Sequence, residues 1–194
     1  VAEIGSEAFA GCKNLSAIDL PKGLTTLGSD VFANTSITSI TIPKALENCD
    51  GYVAEDDGNR VYVGPFSNCS TLKTVYFEEG TTRIASYLFA GCKNLSEIDL
   101  PKGLTELGKQ AFSGTSITSI TIPKSLEVCD GNESWVYDEN ENYIAVYGGP
   151  FSDCSMLKTV YFEEGTTEIA SYLFAGCEGI NNITIPDTAT EIGN

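Results

Sequence analysis

The chain has 194 residues, 42% of them hydrophobic, and sets 11 Lys and Arg against 27 Asp and Glu for a formal net charge of -16. A phosphate backbone needs a basic stripe, and none is present, which disfavours nucleic acid and an anionic membrane as partners; neither nucleic-acid binding nor membrane insertion is expected. Histidine is absent, which removes histidine triads and histidine-ligated metals, and no apolar run is long enough to cross a bilayer as a helix.

The segment from Gly11 to Thr25 returns almost unchanged at Gly91 to Thr105, and inside that long copy lies a unit of twenty-two or twenty-three residues. A phenylalanine marks each unit: Phe9, Phe32, Phe66, Phe89, Phe112, Phe151 and Phe174. A unit this short cannot bury an apolar face alone, so neighbours must stack.

After each marker an apolar trio follows. In chain order the trios are Leu15, Ile18, Leu20; Ile37, Ile40, Ile42; Leu72, Val75, Phe77; Leu95, Ile98, Leu100; Ile117, Ile120, Ile122; Leu157, Val160, Phe162; and Ile180, Ile183, Ile185. The last two members are two residues apart, which is strand periodicity. One strand per coil, paired in parallel with its sequence neighbours, is expected. Pro21, Pro43, Pro101, Pro123 and Pro186 close five of these strands, whereas Glu78 and Glu163 stand there in the other two. A second apolar set (Leu24, Leu27, Val31 and its copies) completes each turn, and the short segments before each phenylalanine are expected to be one or two turns of α- or 3-10 helix.

The larger period is three coils, because the third and sixth carry insertions at about 50–64 and 130–149. Tyr52-Val53 and Val61-Tyr62 flank Asp57-Gly58-Asn59, a hairpin signal; Trp135 to Tyr137 and Tyr143 to Tyr147 flank the second turn in the same way. The chain opens in mid-repeat, so it reads as a single solenoid over 1–194 that is a piece of a longer array, with any targeting signal elsewhere.

Seven cysteines is an odd number, so at least one thiol is unpaired or pairs with another chain. Cys12, Cys69, Cys92, Cys154 and Cys177 each lie three residues after a marker phenylalanine and read as a buried ladder of small side chains. Cys49 and Cys129 align with the core positions Leu27 and Leu107. A Cys49–Cys69 or Cys129–Cys154 bridge within one coil is the alternative. Thr35 and Thr115 replace the ladder cysteine in two coils whose link to the strand is one residue shorter, where a hydroxyl can satisfy a backbone group.

The pattern FAGCKNLSxIDLPKGLTxLG, at Phe9–Gly28 and Phe89–Gly108, resembles the BspA-like leucine-rich repeats of bacterial surface proteins. The resemblance covers everything except the two insertions. It implies an α/β architecture: a right-handed leucine-rich-repeat solenoid of about seven coils with a parallel sheet on the concave side. It also implies secreted or surface-attached proteins, some of them adhesive, with no catalytic residues and no cofactor.

For a binding module the outward strand residues matter most: Ala17, Asp19; Ser39, Thr41; Thr74, Tyr76; Glu97, Asp99; Ser119, Thr121; Thr159, Tyr161; Asn182, Thr184. Small polar side chains dominate, interrupted by Tyr76 and Tyr161 about 14 Å apart at ordinary strand spacing. These tyrosines, Asp19, Asp99 and the hairpin residues Trp135 and Tyr137 are the candidate binding residues. The expected partner is a host or bacterial surface protein or glycan, with a structural spacer as the alternative role. The acidic runs at Glu55-Asp56-Asp57 and Asp138 to Asn142 lack calcium-loop spacing and read as solvated hairpin tips.

Overall fold

The computed structural model describes residues 1–56, 59–137 and 143–193, with side chains described outside 55–59 and 132–147. The marker phenylalanines form one continuous file. Consecutive ring centroids from Phe9 to Phe174 lie 5.6, 5.0, 5.6, 5.7, 5.3 and 5.9 Å apart, with the rings close to parallel. The five inner rings are wholly buried. Each stacked pair contributes about 1 kcal/mol beyond the area it buries, so the file ties every coil to the next through its centre.

The trios form strands with the expected alternation. Ser39–Ile42, Thr74–Phe77, Ser119–Ile122, Thr159–Phe162 and Asn182–Ile183 are the longer strands; Ile40, Ile42, Val75, Ile120, Ile122 and Val160 are buried, while Thr41, Tyr76, Thr121 and Tyr161 face solvent. All pairings among them are parallel. Ser39–Ile42 pairs with Thr74–Phe77, Ser119–Ile122 with Thr159–Phe162, and Thr159-Val160 with Asn182-Ile183.

The expected single sheet with one strand per coil is corrected at this point. Residues 17–20 and 97–100 join no ladder, so the sheet is split at the Phe89 coil. In both Tyr-Phe strands the pairing toward the following coil is absent or short: Thr74–Phe77 has no ladder partner on that side among the described residues, and Thr159–Phe162 pairs there only at Thr159 and Val160. Pairing is equally absent beside leucine, since 17–20 do not pair with Ser39–Ile42 nor 97–100 with Ser119–Ile122. Phe77 turns its edge onto Phe89 at 6.5 Å.

A second set of parallel ladders runs through the Leu27 position. Glu3–Ile4, Thr26–Leu27 and Asn48–Cys49 form one; Arg83–Ile84, Glu106–Leu107 and Val128–Cys129 the next; Glu168–Ile169 and Glu191–Ile192 the last. Leu27 pairs with Cys49 and Leu107 with Cys129, as the alignment of those cysteines required. These ladders break wherever an insertion leaves the coil.

The expected short helices do not form; the described residues contain hydrogen-bonded turns instead. The residue two after every marker phenylalanine has a left-handed backbone: Gly11, Asn34, Asn68, Gly91, Gly114, Asp153 and Gly176, with φ between 55° and 75°. Glu7, Asp30, Tyr87, Gln110 and Tyr172, two before it, are left-handed as well. One such residue every four stops a helix from propagating. Amides then alternate between a bond within the turn and a bond to the next coil: Ala8 N–H donates to Gly5 O, Phe9 N–H to Val31 O, Ala10 N–H to Glu7 O and Gly11 N–H to Ala33 O.

Both insertions are antiparallel hairpins, Tyr52–Asp56 with Asn59–Val63 and Asn132–Tyr137 with Tyr143–Gly148. Their bases are glycines for a steric reason. A Cβ on Gly51 or Gly64 would collide with Tyr87, and one on Gly131 or Gly149 with Tyr172.

Candidate binding surface

The split in the longer-strand face creates two grooves that share a wall. The first, about 660 Å³, lies between residues 73–82 and 97–103 and is lined by Tyr76, Glu78, Glu97, Asp99, Lys73 and Lys102 among others. The second, about 590 Å³, lies between 97–102 and 118–123 and adds Thr121, Tyr161 and Glu163. Segment 97–100 is the common wall, so Glu97 and Asp99 contribute to both.

Two sequence candidates, Tyr76 and Asp99, therefore meet in one groove, and Tyr161 and Asp99 in the other. Tyr76 is 59% exposed and Tyr161 57%. Each tyrosine stands beside a threonine in register, Thr41 and Thr121 respectively, so its ring is flanked by a small neighbour. Asp19 is exposed on the Phe9 coil and lines neither groove. Trp135 and Tyr137 sit on the second hairpin, opposite Ala145 and Tyr143 in the strand register; their side chains lie outside the described residues. The acidic runs at 55–57 and 138–142 also lie outside the described side chains.

The glutamates that replace proline have a defined role. Glu78 accepts a hydrogen bond from the Lys44 amide and Glu163 from the Lys124 amide, each at 3.1 Å. Each carboxylate thus satisfies a turn amide of the preceding coil, which fixes the rim of the groove. Glu97, Lys73 and Lys102 were not singled out by the sequence; the only signal for Glu97 was its outward place beside Asp99.

Away from the grooves all seven cysteines are thiols; Cys69, Cys92, Cys129 and Cys154 are buried, whereas the expected ladder is corrected at its ends, where Cys12 is exposed and Cys177 half-buried, as Cys49 is. Cys69 Sγ–H donates to Phe32 O at 2.8 Å, Cys92 to Phe66 O at 3.3 Å and Cys154 to Phe112 O at 3.1 Å, so the three buried ladder thiols bond the marker carbonyl of the preceding coil, while Cys177 Sγ–H points to Cys154 O at 3.9 Å. Thr35 Oγ1–H donates to Phe32 O at 2.8 Å, as its shortened link suggested. Burial pushes the Cys154 thiol up to about 11 and, with the Asp130 carboxylate nearby, Cys129 up to about 12. Such thiols are poor nucleophiles. Among the described residues no cluster of three or more His, Cys, Asp or Glu is placed to hold a metal ion, and no helix is long and apolar enough to cross a membrane.

Repeating coils, parallel ladders and a phenylalanine file define a leucine-rich-repeat protein. The chain belongs to the BspA type leucine rich repeat region family, whose model matches residues 1–58 and 59–194 in six copies. Its fold is similar to that of a leucine-rich repeat protein from Bacteroides ovatus, at 24% identity and a TM-score of 0.52 over 99% of this chain and 37% of that one. Weaker likenesses are a leucine rich cell surface protein from Faecalibacterium prausnitzii (19% identity, TM-score 0.46, 100% and 61% covered) and a leucine rich repeat protein of T. pallidum (18%, 0.47, 100% and 67%). The chain thus spans well under two thirds of the B. ovatus protein. No curated protein matches it.

Proposed function

We propose that the chain is a non-catalytic binding module of an extracellular or surface-attached bacterial protein, taking a host or bacterial surface protein or glycan on its longer-strand face. The observation that carries this reading is the pair of adjoining grooves that share Asp99, each bordered by a tyrosine more than half exposed. An exposed tyrosine offers a flat apolar face and a polar tip at little entropic cost. The carboxylates supply acceptors for ligand hydroxyls, amides or cations. Hot-spot residues of this type carry most of an interface's energy.

The competing reading is a spacer that displays other domains. It is favoured by the unbroken phenylalanine file and by the first hairpin's packing along the solenoid flank. A binding screen against host matrix proteins, bacterial surface proteins and glycans, with wild type beside Tyr76→Ala, Tyr161→Ala and Trp135→Ala, decides between them. Loss of about tenfold or more in affinity on replacing Tyr76 or Tyr161 is expected, corresponding to about 1.4 kcal/mol. Binding that survives all three changes overturns the site, and a screen with no binder leaves the spacer.

A further inference from the structure

One junction in the array is bonded unlike the others. Among the described residues, no backbone–backbone hydrogen bond crosses from the Phe66 coil, residues 48–80, to the Phe89 coil, residues 83–100. The longer-strand ladder is open there because Thr74–Phe77 does not pair with 97–100, and the narrow ladder is open because Asn48–Cys49 does not pair with Arg83–Ile84. The neighbouring junctions differ. Tyr87, Phe89 and Gly91 amides donate to Lys109, Ala111 and Ser113 carbonyls, and Asp30 and Phe32 amides to Gly64 and Pro65. The seam is crossed instead by the Phe66–Phe89 stack and by two side-chain bonds to backbone, Cys92 Sγ–H to Phe66 O and Asn94 Nδ2–H to Ser70 O. The first groove, with Tyr76 on one wall and Asp99 on the other, straddles this seam.

The first hairpin crosses the same seam from the outside. It leaves the Phe66 coil and lies over the following turns. A Cβ on Gly91 would sit 3.1 Å from Tyr62 Cβ, and one on Gly114 would sit 2.8 Å from the Tyr62 ring. Beyond them Arg60 Nη1 meets Asp153 Oδ2 at 2.6 Å, in the Phe151 coil. One hairpin thus spans the Phe89 and Phe112 coils and is tied off on the far side.

The two long copies differ where this hairpin lands. Gly114 and Asp153 in the second copy stand where the first has Asn34 and Asn68, with the same left-handed backbone at all four. Asparagine suits that backbone, so the turn itself does not require a glycine at 114. The ring of Tyr62 does. Asp153 likewise supplies a charge partner that an asparagine would not. In the first copy Asn34 and Asn68 are exposed, whereas Gly91 is buried and Gly114 and Asp153 are half-buried.

We propose that the seam between the Phe66 and Phe89 coils is a hinge, and that the first hairpin is a latch keyed by Gly114 and Asp153 that holds it closed. The residues before the seam and those after it are two blocks, each internally laddered. The latch fixes the width of the groove between Tyr76 and Asp99 by clamping the opposite flank. Arg60 and Tyr62 are positioning residues for that groove and touch no ligand.

The test needs no ligand, so it stands or falls apart from the binding reading. Hydrogen exchange and small-angle scattering are measured on wild type, Asp153→Asn, Tyr62→Ala and Gly114→Asn. Asp153→Asn installs the residue that the first copy tolerates at the same backbone, so it folds. Release of the latch is expected to speed exchange about tenfold in the hairpin strands and at the Gly91 and Gly114 turns, leaving the Phe9 and Phe32 turns unchanged. The radius of gyration is expected to rise, and one cooperative unfolding transition to become two. Unchanged exchange in all three variants overturns the latch. A freed hairpin with unchanged scattering and a single transition overturns the hinge.

Discussion

The thiols of Cys69, Cys92 and Cys154, three residues after their marker phenylalanines, donate to the carbonyl of the previous marker, and this explains their chemistry as well as their periodicity. Buried and protonated, Cys154 and Cys129 have pKa values raised from 9.0 to about 11 and about 12. The folded state therefore holds these protons more tightly than the unfolded chain. Their contribution to stability is fully present below about pH 9 and is lost as pH rises through the folded values. The urea midpoint should accordingly be level on the acid side of pH 9 and fall from there toward pH 11, and Cys154→Ala should weaken that fall. An alkaline limb identical in wild type and variant would show that the buried thiols do not set it. The ladder was legible in the sequence from its spacing. Its hydrogen-bond partners were not, because the accepting carbonyls lie in the preceding coil, 26 to 42 residues away in sequence.

Among the elements, the strands were readable because a period of two is a local property. The turns were misread as helical for a reason also present in the sequence. Gly, Asn or Asp stands two residues after every marker phenylalanine, and these are the types that accept a left-handed backbone. The hairpins were readable from turn residues and alternating aromatics, but the glycines at their bases acquire meaning only through Tyr87 and Tyr172, more than twenty residues further on. Gly64→Ala should cost about 2–4 kcal/mol in unfolding free energy, because its methyl meets the Tyr87 carbonyl oxygen, a backbone atom that cannot move aside. Gly23→Ala, whose methyl meets nothing, is the control. Equal midpoints for the two variants would refute the steric account.

Across the whole molecule, charge acts against compaction. A formal charge of -16 meets only three ion-pair contacts among the described residues, two of them sharing Arg83. Self-repulsion of carboxylates is therefore the leading long-range electrostatic effect, and it is screened over about 10 Å at 0.1 M salt. The thermal midpoint should rise between low salt and about 0.5 M sodium chloride, where screening is nearly complete. A midpoint that falls with salt would mean that the ion pairs outweigh the repulsion.

The family, the stacking of short coils, the core positions and the outward pair of tyrosines were determined by the sequence alone, since each follows from residue type repeated at a fixed interval. The split of the longer-strand sheet, the shared wall at Asp99, the seam that no backbone–backbone hydrogen bond crosses and the hairpin keyed to Gly114 and Asp153 were decided by tertiary structure. They arise where the contacts of Phe77, Arg60 and Tyr62 set one coil against others along the chain, and no local period encodes such contacts.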